Sequence, residues 1–218
     1  MSISKAWNWS ANAEDFWRIP SEESIAMAAR WKECGYRDVL DFGCGLGRHA
    51  IYFAKSGFSV SAFDLSAEGV ASLNTWAAKE QLHIPTECCD MQELPYADDS
   101  FDAVFAYHVI SHTDSVGITK ILAEMRRVLR SGGEAFLTLC SKDTWSFRDA
   151  GYPKHDENTV IKTAEGPEYG IPHFYVDMDD VERLFSGMEL ISVRHIDDCW
   201  FAGKRQNSKH YFIRVRKP

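Results

Sequence analysis

Val39-Leu40-Asp41-Phe42-Gly43-Cys44-Gly45-Leu46-Gly47-Arg48 is a short apolar run that meets an acidic residue and three alternate glycines before a helical pattern begins. Such a run reads as a buried strand feeding a ligand loop. Without a Cβ, Gly43, Gly45 and Gly47 let the backbone turn sharply and approach a bound molecule. The helix that follows aims its unpaired N–H groups at that molecule. A dinucleotide fingerprint needs G-x-G-x-x-G, but Arg48 stands where its last glycine belongs. The motif is D-x-G-x-G-x-G.

Working outward, a second apolar run, residues 58–63, ends in Asp64, and a third short segment, residues 86–89, ends in Asp90. Acidic side chains at successive strand ends suit a nucleoside lying across the sheet edge, because a carboxylate accepts hydrogen bonds from ribose hydroxyls. Further strands are predicted over residues 101–107, 134–140, 189–196 and 211–216. Helices are predicted from Ser21 to Cys34, from Leu46 to Lys55, after a Ser66 cap, over 118–129, and from an Asp177 cap to Ser186. This alternation predicts an α/β fold with a doubly wound, mainly parallel sheet and a ligand at the strand carboxyl ends.

The ordered set of glycine loop, Asp64 and Asp90 resembles the class I S-adenosylmethionine-dependent methyltransferases, from about Val39 to Cys140. That resemblance implies a seven-stranded Rossmann-like methyltransferase sheet whose last strand inserts antiparallel. It also implies S-adenosylmethionine as cofactor and a small-molecule acceptor. Asp64 would then bind the ribose hydroxyls, Asp90 the adenine amino group and the Met91 backbone the adenine ring, with Leu65 as its apolar wall. Asp41 would orient the glycine loop or meet the amino group of the methionine part, or simply hold loop amides. Tyr107 would lend its carbonyl, and its ring is a second way to face a sulfonium. Arg48 either meets the methionine carboxylate or points to solvent.

Histidines are the plausible general bases near neutral pH. His112 lies just past the fourth strand, and His155 and His173 flank a stretch, residues 145–175, rich in aromatic residues. These three are the candidate catalytic residues, and the stretch is the candidate acceptor cover. The competing readings are a non-catalytic S-adenosylmethionine-binding protein and a nucleotide-dependent oxidoreductase. The aromatic insert counts against the first and the missing glycine against the second.

At 218 residues and 45% hydrophobic, the chain suits one domain over 1–218, with an N-terminal cap and helix in 1–35 and a substrate-side insertion in 141–176. A net charge of −8 argues against a nucleic-acid partner. No membrane-length apolar run or signal pattern is present, so a cytoplasmic protein is expected. Six cysteines lack zinc spacing, so reduced thiols and no metal are expected. Trp7, Trp9, Phe16 and Trp17 crowd the N-terminal segment, where they either cover the sheet edge and first helix or form a lid over the cofactor.

Overall fold

Alternation along the strands determines the layering. In β1 (Asp38–Phe42), Val39 packs with Trp31, Phe53 and Phe105, whereas Leu40 and Phe42 pack with Ile118, Ile121 and Met125. In β4 (Phe101–Ala106), Ala103 and Phe105 face the first group, Val104 and Ala106 the second. Side chains of a strand point to opposite faces in turn, so both faces of this sheet are buried. The computed structural model describes residues 5–7, 9, 15–166, 168–201 and 203–218. Much of the expected N-terminal cap before Asp15 therefore lies outside the described residues.

The main sheet runs β3-β2-β1-β4-β5-β11-β8. Here β2 is Ser59–Asp64, β3 Thr86–Cys88, β5 Leu129–Ser141, β8 Glu189–Asp197 and β11 Lys209–Arg216. The first five pair in parallel, and β11 lies antiparallel between β5 and β8. This is the expected doubly wound sheet with its inserted antiparallel strand. Helices α1 (Glu22–Glu33), α2 (Arg48–Lys55) and α3 (Ala67–Lys79) contribute Trp31, Phe53 and Leu73 to one core. On the other face, α4 (Ser115–Val128) and α6 (Met178–Leu184) contribute Ile118, Ile121 and Val181. No helix among the described residues is long and apolar enough to cross a membrane.

Predicted caps form because their side chains reach free N–H groups. Ser21 accepts from Ser24 N–H and Ser66 from Gly69 N–H, and Asp177 makes a capping box with Asp180. α2 begins at Arg48, later than the pattern predicts, because Gly45 (φ +51°) and Gly47 (φ +95°) are left-handed. The fifth strand begins earlier, at Leu129, which pairs with Phe101. The segment after Cys140 is more regular than its sequence suggests. It holds a short helix α5 (Trp145–Arg148) and the antiparallel pair β6 (Thr159–Ile161) and β7 (Pro172–Val176). β7 also pairs in parallel with the end of β5. A further small hairpin, β9 (Trp200–Phe201) with β10 (Lys204–Arg205), interrupts the loop between β8 and β11.

Candidate active site

At the carboxyl ends of β1, β2 and β4 the chain order switches direction, and there the structure opens a cavity of about 870 Å³. Its walls include Gly43, Gly45, Asp64, Leu65, Asp90 and Met91. Tyr107, His112 and His173 also line it.

Asp64 ends β2 and joins two loops. Its Oδ2 accepts from Gly45 N–H (2.8 Å) and its Oδ1 from Ser66 N–H (2.8 Å). Burial pushes its carboxyl pKa up, against those same amide donors. An ionised carboxylate offers about four lone-pair sites, so two remain for a ligand. Leu65, 37% exposed, presents an apolar wall beside it. Asp90 accepts from Gln92 N–H (2.9 Å), which fixes the turn after β3.

Three predicted site residues do not line the cavity. Asp41 is buried beneath the loop, where its Oδ2 accepts from Ala50 N–H at 2.9 Å. Gly47, the N-cap of α2, has no side chain to accept an amide, so Asp41 supplies that acceptor from the neighbouring strand. Gly47 itself faces Leu73, whose Cδ1 would lie 2.5 Å from an added Cβ. His155 is 38% exposed in its side chain and lies with Nε2 3.6 Å from Oδ2 of Asp114, the N-cap of α4. Its local strand pairing turns it toward α4 and away from the cavity.

Arg48 lines the cavity and does not point to solvent. It is buried against the rings of Phe16, Trp17 and Tyr107, and its guanidinium donates to Ile19 O at 3.3 Å. It thus clamps the N-terminal segment onto α2. That segment stands over the glycine loop. An added Cβ on Gly45 would meet Trp9 Cζ2 at 2.5 Å, and Trp7 lies 5.4 Å from the His112 ring. Tyr107 turns its ring between Phe105 and His49, so its face is occupied by protein.

Two further histidines join the wall, His108, which the sequence places at the pocket rim just past the fourth strand, and His210, which it leaves unassigned. His108, at φ +54°, donates its N–H to Thr138 Oγ1 (2.7 Å), and its ring lies 4.3 Å from His210. Burial pushes His210 down to about 4 and His108 well below its ordinary value. Only the β5–β11 pairing brings residues 108 and 210 together, and no local spacing signals it. Gly69 also went unread: its Cα packs so closely that an added Cβ would sit 2.8 Å from Gly45 O.

A hydrogen bond from Phe174 N–H to Ser111 O (2.8 Å) ties β7 to the loop after β4. Their neighbours His173 and His112 are thereby brought to 4.8 Å between rings. Glu168 completes the group, with Oε1 3.2 Å from His173 Nε2 and its other oxygen paired with Lys162. A smaller cavity of about 480 Å³ shares Trp7, Cys140, Lys162, Glu168 and His210 with the main one.

With the strand order, the acid-ended strands and the glycine loop in view, comparison with known proteins identifies the lineage. Residues 39–133 match the family described as a methyltransferase domain. The chain is 27% identical over 88% of its length to a malonyl-[acyl-carrier protein] O-methyltransferase of Legionella pneumophila, of which the match covers 68%. Its fold superposes with a TM-score of 0.69 on an S-adenosylmethionine-dependent methyltransferase from Methanosarcina mazei. That likeness, at 21% identity, covers 83% of this chain and 92% of the other. Residues 39–133 are a methyltransferase domain, and the chain has the fold of the class I S-adenosylmethionine-dependent methyltransferases. The chain is also 34% identical over 83% of its length to Hemagglutinin 1 of Eikenella corrodens. It spans 54% of that protein, about half its length.

Proposed function

We propose that the chain binds S-adenosylmethionine in the main cavity and transfers its methyl group to a small-molecule acceptor. The observation that carries this reading is the Asp64 carboxylate, held by Gly45 and Ser66 N–H groups with two lone-pair sites left over beside the glycine loop. Those sites suit the two hydroxyls of a ribose. Asp90 and the Met91 backbone take the adenine edge, and Leu65 covers its ring. Gly43 and Gly45 allow the methionine part to lie against bare backbone. When bound, the cofactor supplies an electrophilic methyl on a positively charged sulfur.

The residues' own contribution is then positioning and exclusion of water. In-line placement of two reactants removes much of the barrier of such a transfer. Trp7 and Trp9 stand over the loop and shield the reacting atoms. The acceptor lies toward Lys162, Glu168 and His210, where the smaller cavity adjoins the main one. Of the candidate bases, His112 is pushed down to about 3 by burial and by His173. A base that weak removes a proton poorly, so acceptors nucleophilic enough to attack before losing a proton suit this site best.

Calorimetry with S-adenosylhomocysteine tests the reading. Binding is expected, with none for NAD or NADP. Hydrogen bonds to a charged acceptor contribute roughly 1.5–3 kcal/mol each. Asp64→Ala therefore weakens binding by at least roughly tenfold, equivalent to about 1.4 kcal/mol. Unchanged affinity in a folded Asp64→Ala protein removes Asp64 from the site.

A further inference from the structure

The group formed by His112, Glu168 and His173 carries a contradiction in its hydrogen bonding. His173 Nδ1 lies 3.1 Å from Ile171 O. A carbonyl can only accept, so Nδ1 carries the proton, and in a neutral ring Nε2 is then a bare lone pair. That lone pair faces Glu168 Oε1 at 3.2 Å. Two acceptors at this distance need a positive centre shared between them.

A metal ion fills that role where a third ligand stands beside the pair. His112 adds a third donor. Its Nε2 lies 4.0 Å from the same Glu168 oxygen, and the three candidate ligand atoms all fall within 4.8 Å of one another.

We propose that His112, Glu168 and His173 bind one divalent metal ion of the zinc type at the wall of the main cavity. Two neutral imidazoles and one carboxylate are the donor set of open, three-ligand zinc sites. Ligand atoms on a tetrahedral ion with bonds near 2.1 Å lie about 3.4 Å apart. The His173–Glu168 pair meets that spacing, and a shift of roughly 1 Å by the His112 ring completes it. Around the ligands the supports are in place. Ile171 O fixes the His173 tautomer, as backbone carbonyls do for metal-binding histidines. Lys162 occupies Oε2 and so leaves Oε1 as the coordinating oxygen. The fourth position opens onto the cavity, available to water or to an oxygen, nitrogen or sulfur of the acceptor.

The test is titration of the chelator-treated protein with zinc chloride, with cobalt chloride as a coloured substitute. One equivalent is expected to bind, and cobalt is expected to develop the visible absorption of a low-coordinate site. His112→Asn and Glu168→Gln are each expected to weaken zinc binding by at least about tenfold. Both variants are checked by circular dichroism and by S-adenosylhomocysteine titration, whose outcome bears on the cofactor reading and not on this one. Exposed Cys34, Cys88 and Cys199 are adventitious zinc ligands. Zinc binding that survives in both variants therefore overturns the proposal, as does the absence of zinc binding to the unmodified chain.

Discussion

Asp41 offers a sharp test of how this loop is held, because its carboxylate is buried and accepts from the Ala50 amide. Burial pushes its pKa up to about 7 from an ordinary 3.8, tempered by Ala50 N–H and Arg48 and increased by Asp64. A raised acid pKa means that the folded state holds the proton more tightly than the unfolded chain. The associated stability is fully present below the unfolded pKa and is lost as pH rises through about 7. Well inside this window each pH unit removes about 1.36 kcal/mol, and because the slope halves at the folded pKa the loss between pH 5 and pH 7 is about 2.3 kcal/mol. Asp41→Asn keeps an oxygen for Ala50 N–H and cannot ionise. Urea denaturation of both proteins without ligand, at half-unit steps from pH 5 to pH 8, isolates this term, because groups such as His108 and His210 titrate equally in each. The variant's stability relative to the parent is expected to climb by about 2–3 kcal/mol across the window and then level off. A difference that stays flat from pH 5 to pH 8 refutes the reasoning.

Two further outcomes follow from the packing. Glu134 is fully buried and receives Arg30 at 2.6 and 2.8 Å and Arg216 at 2.9 Å. Glu134→Ala removes the carboxylate from Arg30 and leaves Arg216 with Glu189 alone, and should cost about 1.5–3 kcal/mol in urea denaturation at pH 7; a loss under about 1 kcal/mol would show that water replaces the carboxylate. Gly45→Ala puts a Cβ into Trp9 at a left-handed φ, so tryptophan emission should shift and S-adenosylhomocysteine affinity should fall at least roughly tenfold. Unaltered emission and affinity would mean that Trp9 does not rest on the loop.

Legibility in the sequence followed distance along the chain. Ser21, Ser66 and Asp177 could be read as caps because each acts on an amide three residues away. Asp64 and Asp90 could be read as strand ends because the apolar runs before them are local signals. β7 escaped notice for an equally physical reason. Its five residues Pro172–Val176 are all buried, so no alternation marks them, and Gly170 and Pro172 read as a turn. The meeting of His112 with His173 was hidden because it depends on one hydrogen bond between Phe174 and Ser111. His155 looked as suitable as His173 on paper. Only the pairing of 155 with 159 shows that its backbone runs elsewhere.

The insertion of β11 between β5 and β8 has a consequence for the order in which the molecule can assemble. β8 precedes β11 in the chain, yet among the described residues its strand partner is β11 alone. During synthesis β8 must wait, an unpaired edge, until residues 209–216 have been made and have docked along β5. The parallel half of the sheet, from β3 to β5, has no such dependence and is able to form first. Closing the long loop to β5 before any ladder bond forms makes the last step slow. Until it is complete, β8 exposes the kind of open strand edge on which chains of this type aggregate.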